Sequence, residues 1–160
     1  MQDQVVIAKI QLTQEGMDEL QAELKELTGK KLPAVIERVS RAREYGDLSE
    51  NAEYHSAKEE QNLIEARITE VEDIIAKAQV VSETRSTSKI GMGSTVTVQV
   101  VGKKAQMTVT IVGEFEATPG ENKISSVSPL GKALMGAKKS DQVKVVAPAG
   151  VIEYEVLEIK

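Results

Sequence analysis

Cysteine is absent from the chain, which excludes disulfides, thiolate metal sites and zinc-finger regulators. Aromatic residues make up only 2% of it: Phe115, Tyr45, Tyr54 and Tyr154. Globular cores draw much of their buried area from aromatics, so this scarcity favours a coiled coil of Leu, Ile, Val and Ala over part of the length. No apolar run approaches the ~18 residues that cross a bilayer. The N-terminus lacks the basic-then-apolar pattern of a secretory signal. A cytoplasmic protein without membrane contact is expected. There is a single histidine, His55; it reads as a partly packed helix residue rather than a metal ligand, because a usual site needs more N or S donors nearby.

What is present is unevenly charged. The net charge is −5. Residues 1–82 carry 10 Lys+Arg against 17 Asp+Glu, and residues 83–160 carry 10 against 8, so the halves hold −7 and +2. An acidic first half argues against a general duplex-DNA binder, whose affinity comes from neutralising phosphates. Any nucleic-acid contact should be local.

The first half has helical periodicity. Residues 54, 57, 61, 64, 68, 71, 75 and 78 are apolar except for Gln61, in alternating steps of three and four, as in a heptad seam. Met17, Leu20, Leu24 and Leu27 repeat that spacing; after a five-residue step the pattern resumes at Leu32, Ile36, Val39 and Ala42. Gly29 and Pro33 lie at the step. A proline clashes with the carbonyl four residues back, so a kink or short break is predicted at about 28–33. Thr13 is the predicted N-cap of the first helix. A helix over 13–46 would be roughly 50 Å long at ~1.5 Å per residue. Two such helices joined by a short turn run antiparallel, with the turn, 46–50, at a far tip.

The period then changes. STVTVQV (94–100), QMTVTIV (106–112), DQVKVVA (141–147) and VIEYEVLEI (151–159) are β-branched and partly alternating, as strands are. Gly102–Lys103 and Pro148–Ala149–Gly150 supply turns. A short helix over 130–136 is predicted, with Ser128 as N-cap and Pro129 at the first helical position. SETRSTSK (82–89) reads as a linker. The fold class is therefore α+β, with a coiled-coil hairpin over 1–82 and a β domain over 83–160.

Asp47 and Glu50, at the tip, admit two readings. Their spacing is the D-x-x-E form of a capping box, with Ser49 as a rival N-cap, and both acids would favour the start of the second helix. The same carboxylates are hard oxygen ligands suited to Mg²⁺, too few for a tight site alone but enough to complete one shared with another molecule. Arg38, Arg41 and Arg43 lie just before them and Lys58 on the returning helix, an arrangement suited to phosphate contact beside a metal. The alternative for the arginines is i,i+4 pairing with neighbours such as Glu37.

AREYGDLSENAEYHSAKEEQ (42–61) closely resembles the tip signature of the Gre family of bacterial transcript cleavage factors, in its GreA branch. The resemblance extends to Leu12–Leu20 (L-T-x-E-G-x-x-x-L), IGMGSTVTV (90–98), ISSVSPLGKALMG (124–136) and DQVKVVAPAGVIEYEVLEI (141–159). It implies an N-terminal antiparallel coiled coil and a C-terminal FKBP-like β domain. It further implies a transcription elongation factor whose β domain docks on bacterial RNA polymerase while the coil passes down the secondary channel. There Asp47 and Glu50 would hold a second Mg²⁺ against the polymerase's own site and orient the attacking water. The substrate would be the 3′ end of nascent RNA in a backtracked complex, and the protein would have no catalysis of its own. Arg41, Arg43, Ser49, Asn51 and Lys58 match positions near the tip that contact RNA or polymerase, and Ser128 and Pro129 match docking positions. Some members carry a polar or acidic residue before that Ser–Pro; here it is Val127. A monomer is expected.

Three rivals remain at this stage. A prolyl isomerase is implied by the β fold, but beyond residue 82 only Phe115 and Tyr154 are available to hold a proline ring. A channel-binding inhibitor would alter the number or type of acids at the tip. A coiled-coil adaptor with an inert tip would tolerate Asp47→Ala.

Overall fold

The computed structural model describes residues 9–47, 49–83 and 86–160. The described residues fall into two compact units: Asp18–Lys77, and the residues up to Met17 together with Ala78–Lys160. The expected α+β class holds, as a helical hairpin and a mostly antiparallel sheet. Thr84 and Arg85 of the expected linker, and Leu48 of the expected tip, lie outside the described residues.

In the hairpin unit, α1 (Gln14–Glu26) passes through a π-helical turn, Leu27–Lys31, into α2 (Leu32–Arg43), and α3 (Ala52–Lys77) returns. Thr13 caps α1 as expected, its Oγ1 accepting from the Gly16 N–H at 3.0 Å. The expected interruption at 28–33 takes the form of the π turn rather than a break. The Leu32 N–H reaches back five residues to the Leu27 carbonyl. One extra residue per turn absorbs the five-residue step, so the apolar seam continues on the same face. Its phase beyond the turn corrects the sequence reading. Val35 is 1% exposed and Ile36 47% exposed, so the seam runs Leu32, Val35, Val39, Ala42. Val35 lies three residues after Leu32, and the heptad requires that shorter step. On α3, Ala57 and Val71 are fully buried and Ile74, absent from the predicted seam, joins them. Ala78, assigned to the seam, opens a strand instead.

Ion pairs tie the legs together. Arg67 grips Glu23 through Nε at 2.7 Å and Nη2 at 2.9 Å, and it also meets Glu70 at 2.8 Å. Hydrogen bonding to Arg67 holds the Glu23 carboxyl below its ordinary value of 4.5. A depressed folded-state pKa stabilises the fold above the unfolded value, and that contribution is lost as pH falls through the folded one. The side chains are 37% and 40% exposed, so solvent screening limits the pair to about 0.2–1 kcal/mol. Urea titrations of the wild type and Glu23→Gln at pH 7 and pH 3 should show a gap in stability that closes at the lower pH.

In the β unit, β1 (Ile10–Leu12) pairs in parallel with β2 (Ala78–Val80); neither strand was predicted. β3 (Thr95–Val100), β4 (Gln106–Val112), β5 (Lys123–Ser125), β6 (Gln142–Ala147) and β7 (Gly150–Ile159) form a sheet in the order β5-β4-β3-β7-β6. Four of the five strands match expectation. β5 is new, and its pairing with β4 is parallel, so the sheet is not purely antiparallel. Alternation sets the buried face: Val96, Val98, Val109, Ile111 and Val156 meet beneath Leu134 of α4 (Pro129–Leu134). That helix is shorter than predicted, because the chain leaves helical geometry at Met135 and Gly136 takes φ of 81°.

Glu116 fastens the start of α1 within this unit. Its Oε2 accepts from the backbone N–H groups of Thr13 and Gly113, each at 2.9 Å, and its Oε1 accepts from the Thr13 hydroxyl. Gly16 lies so close that a Cβ there would come within 2.2 Å of the carboxyl carbon. The Thr–x–Glu–Gly opening thus has a physical reason at both ends: the threonine donates to the clasp and the glycine leaves it room.

Candidate functional site: the acidic turn of the hairpin

The turn is built from the end of α2 inward. The last amides of that helix shift to the i−3 pattern, with Glu44, Tyr45 and Gly46 donating to Arg41, Ala42 and Arg43. Gly46 then takes φ of 102°, which glycine alone adopts without strain. The N-cap of α3 is Asn51, which corrects the expected roles of Asp47 and Ser49. Asn51 Oδ1 accepts from the Tyr54 N–H at 3.0 Å, while Nδ2 donates to the Ala42 carbonyl at 2.8 Å. One side chain therefore satisfies an orphan donor at the start of α3 and adds a second donor to the Ala42 carbonyl at the end of α2, tying the two helix ends together.

With Asn51 in the capping position, neither acid makes a capping hydrogen bond among the described residues. Asp47 is exposed and its Oδ1 accepts from Ser49 twice, from the backbone N–H at 2.9 Å and from the hydroxyl at 2.7 Å. The Ser49 hydroxyl, then its backbone N–H, holds the Asp47 carboxyl below its ordinary value, so it stays charged at neutral pH. Glu50 is exposed and bonds to nothing among the described residues. Two exposed carboxylates on one turn offer anionic oxygens, and this donor set suits a hard divalent cation such as Mg²⁺. It is only part of a site: among the described residues no three His, Cys, Asp or Glu side chains gather to hold a metal.

The cationic candidates divide. Arg38, the most engaged, spans the hairpin to Glu53 at 3.0 Å and to Glu60. Arg41 pairs with Glu37 at 3.7 Å, the i,i+4 alternative foreseen from the sequence, and both remain well exposed. Arg43 lies over the Tyr54 ring, 5.8 Å from its centroid, a cation–π contact. Lys58 reaches Gln61 at 3.3 Å. Arg41, Arg43, Ser49, Asn51 and Lys58 thus belong to the same unit as Asp47 and Glu50, while Ser128 and Pro129 belong to the β unit. Ser128 caps α4 as predicted, accepting from the Gly131 N–H at 3.0 Å and donating to the Ser125 carbonyl at 2.7 Å. The neighbouring Val127 is 50% exposed. A shallow groove in that unit is lined by Lys9, Ile10, Gln11, Glu114, Ser126 and Val127, with no aromatic side chain to cradle a proline ring.

Sequence reasoning overlooked what His55 does. Its Nε2 lies 3.3 Å from the Ser49 carbonyl, and its ring meets Tyr54 edge-on, with centroids 5.5 Å apart. The signal was its position, four residues after Asn51, one helical turn above the loop.

The described residues thus form a two-part protein, a helical hairpin with exposed acids on its turn and a unit built on a five-stranded sheet. Comparison with known families also divides the chain in two, though residues 10–17 and 78–80, which belong to the β unit, fall in the N-terminal match. Residues 10–80 match the family described as "Transcription elongation factor, N-terminal", and residues 85–160 match "Transcription elongation factor, GreA/GreB, C-term". The chain belongs to the GreA/GreB family of transcription elongation factors. Within it, the similar relatives carry the GreA name. The chain is 46% identical to transcription elongation factor GreA of Hyphomonas neptunium, over 94% of this chain and 97% of that one. It is 48% identical to GreA of Trichlorobacter lovleyi, over 94% and 96%. Among solved structures, GreA factor homolog 1 of Thermus thermophilus is 30% identical, covers 95% of this chain and 99% of its own, and superposes with a TM-score of 0.44.

Proposed function

We propose that the protein binds bacterial RNA polymerase through the secondary channel and stimulates the polymerase's own endonucleolytic cleavage of the nascent RNA 3′ end in backtracked, arrested complexes. The observation that carries this reading is the pair of exposed carboxylates, Asp47 and Glu50, on a turn whose helix-capping duties fall to Asn51. When bound, Mg²⁺ supplies charge neutralisation at the scissile phosphate and activation of the attacking water. Asp47, through its Oδ2, and Glu50 would hold part of that cation's ligand set, and the polymerase would supply the remainder. Ser49 orients Asp47 by holding its Oδ1. Arg43 and Lys58 are in no ion pair among the described residues and would reach RNA phosphates from their contacts with Tyr54 and Gln61, as Arg41 would on exchanging its exposed partner Glu37. Ser128 and Pro129 present the docking surface of the β unit. In this reading the low-dielectric enclosure that strengthens such contacts is the polymerase's, so the protein alone is expected to cleave nothing.

The test uses purified protein, polymerase halted on a template, and Mg²⁺. Shortening of 3′-extruded RNA that requires both proteins supports the reading. RNA unchanged on addition of the factor, despite bound polymerase, would overturn it.

A further inference from the structure

From the geometry of the turn we infer that His55 is the positioning residue of the acidic site: its Nε2–H anchors the Ser49 carbonyl, and Ser49 in turn fixes Asp47 so that one carboxylate oxygen faces outward. This inference rests on the cleavage reading above. The Ser49 carbonyl only accepts, so at 3.3 Å the Nε2 atom must carry the proton, and neutral His55 takes the Nε2–H tautomer. The residue is itself held at main chain and ring. Its backbone N–H donates to the Asn51 carbonyl at 3.1 Å, and its face is set by the edge-on contact with Tyr54, 5.5 Å between centroids and 67° between planes. Arg43, at the end of α2, covers the Tyr54 ring in turn. A line of contacts therefore runs from both helix ends into the loop: Arg43 to Tyr54, Tyr54 to His55, His55 to Ser49, Ser49 to Asp47.

The consequence is chemical. Asp47 Oδ1 is occupied by two Ser49 donors, and among the described residues Oδ2 has none, so the carboxylate is presented to a cation through a single, oriented oxygen. Release of the Ser49 carbonyl frees the loop to rotate. Asp47 then samples many orientations, and the ordering must be supplied when the ligand binds. Preorganisation of this kind governs how well a group acts at a reacting centre. His55 is exposed and absent from the apolar seam, so its replacement leaves the hairpin folded.

The experiment compares the full-length wild type with His55→Ala, His55→Gln and Asp47→Ala. Two readouts do not depend on cleavage. The imidazole ¹⁵N shifts at neutral pH should report the Nε2–H tautomer. Exchange of the Ser49 amide should quicken about tenfold in His55→Ala, the worth of one hydrogen bond, and return to the wild-type rate in His55→Gln, whose side-chain amide donates from a similar reach. In the halted-polymerase assay, His55→Ala should cleave about tenfold more slowly at saturating factor, with His55→Gln restored and polymerase affinity unchanged. An Nδ1–H tautomer, equal loss in both His55 variants, or wild-type Ser49 exchange and cleavage in His55→Ala would overturn the inference. Wild-type cleavage by Asp47→Ala would instead bring down the cleavage reading on which it stands.

Discussion

Asp47→Ala should lower stimulated RNA cleavage by about 10²-fold or more while leaving polymerase affinity within about twofold. The size follows from the known cost of deleting one preorganised charge-stabilising group at a reacting phosphate or carbonyl. The selectivity follows from the turn. Asp47 is exposed, caps no helix, and its internal partners are both on Ser49, two residues away. Its loss therefore leaves the Asn51 clasp between α2 and α3 in place. Asp47→Asn separates charge from geometry: the amide oxygen still accepts from Ser49, but the negative charge is gone, and cleavage should fall nearly as far. Glu50→Gln should behave alike with still less effect on the fold, because Glu50 bonds to no described residue. Gel analysis of RNA released from halted complexes gives the rate, and competition with labelled wild-type factor gives the affinity. Parallel loss of affinity and cleavage would show that the acids serve the fold.

Gly131→Ala should produce the opposite pattern: a factor with an intact acidic turn that binds polymerase at least about tenfold more weakly. Gly131 lies in α4, where an added Cβ would fall 2.0 Å from the Ser125 carbonyl oxygen and 2.9 Å from its carbon. Those are backbone atoms of β5, with no flexible side chain to swing aside. The helix must lift, and with it the Ser128 cap, whose Oγ bridges the Gly131 N–H and the Ser125 carbonyl. Overpacking of this kind costs about 1–3 kcal/mol, and about 1.4 kcal/mol lost at a docking surface is a tenfold weaker complex. Thermal unfolding should show the lost stability. Saturating concentrations of the variant should still stimulate cleavage at the wild-type rate, because Asp47 and Glu50 belong to the other unit. Unchanged affinity would remove Ser128 and Pro129 from the docking surface.

Much of the fold was legible because its signals are periodic. The α3 seam and the four longer strands needed only spacing and β-branching. What escaped has local causes. Val35 and Ile36 are adjacent and equally apolar, so only the π turn decides which enters the seam. β1, β2 and β5 are three residues each, too short for a period to show, and they exist through pairing with distant segments. The candidate site was legible as residue types, Asp47 and Glu50 above all, from their resemblance to a family signature. Its wiring was not. Asp47, Ser49 and Asn51 are all good caps by type, and only the folded turn shows that Asn51 is the one that caps, leaving both carboxylates exposed. His55 looked like packing because its partner is a backbone carbonyl, which no sequence pattern displays.

The widened turn at Leu27–Lys31 makes the two legs of the hairpin mechanically unequal. α3 runs unbroken for 26 residues, whereas the opposite leg contains a stretch of poorer backbone bonding and, at Pro33, a residue with no amide to donate. A bending load should therefore concentrate in that leg, with α3 the stiffer of the two.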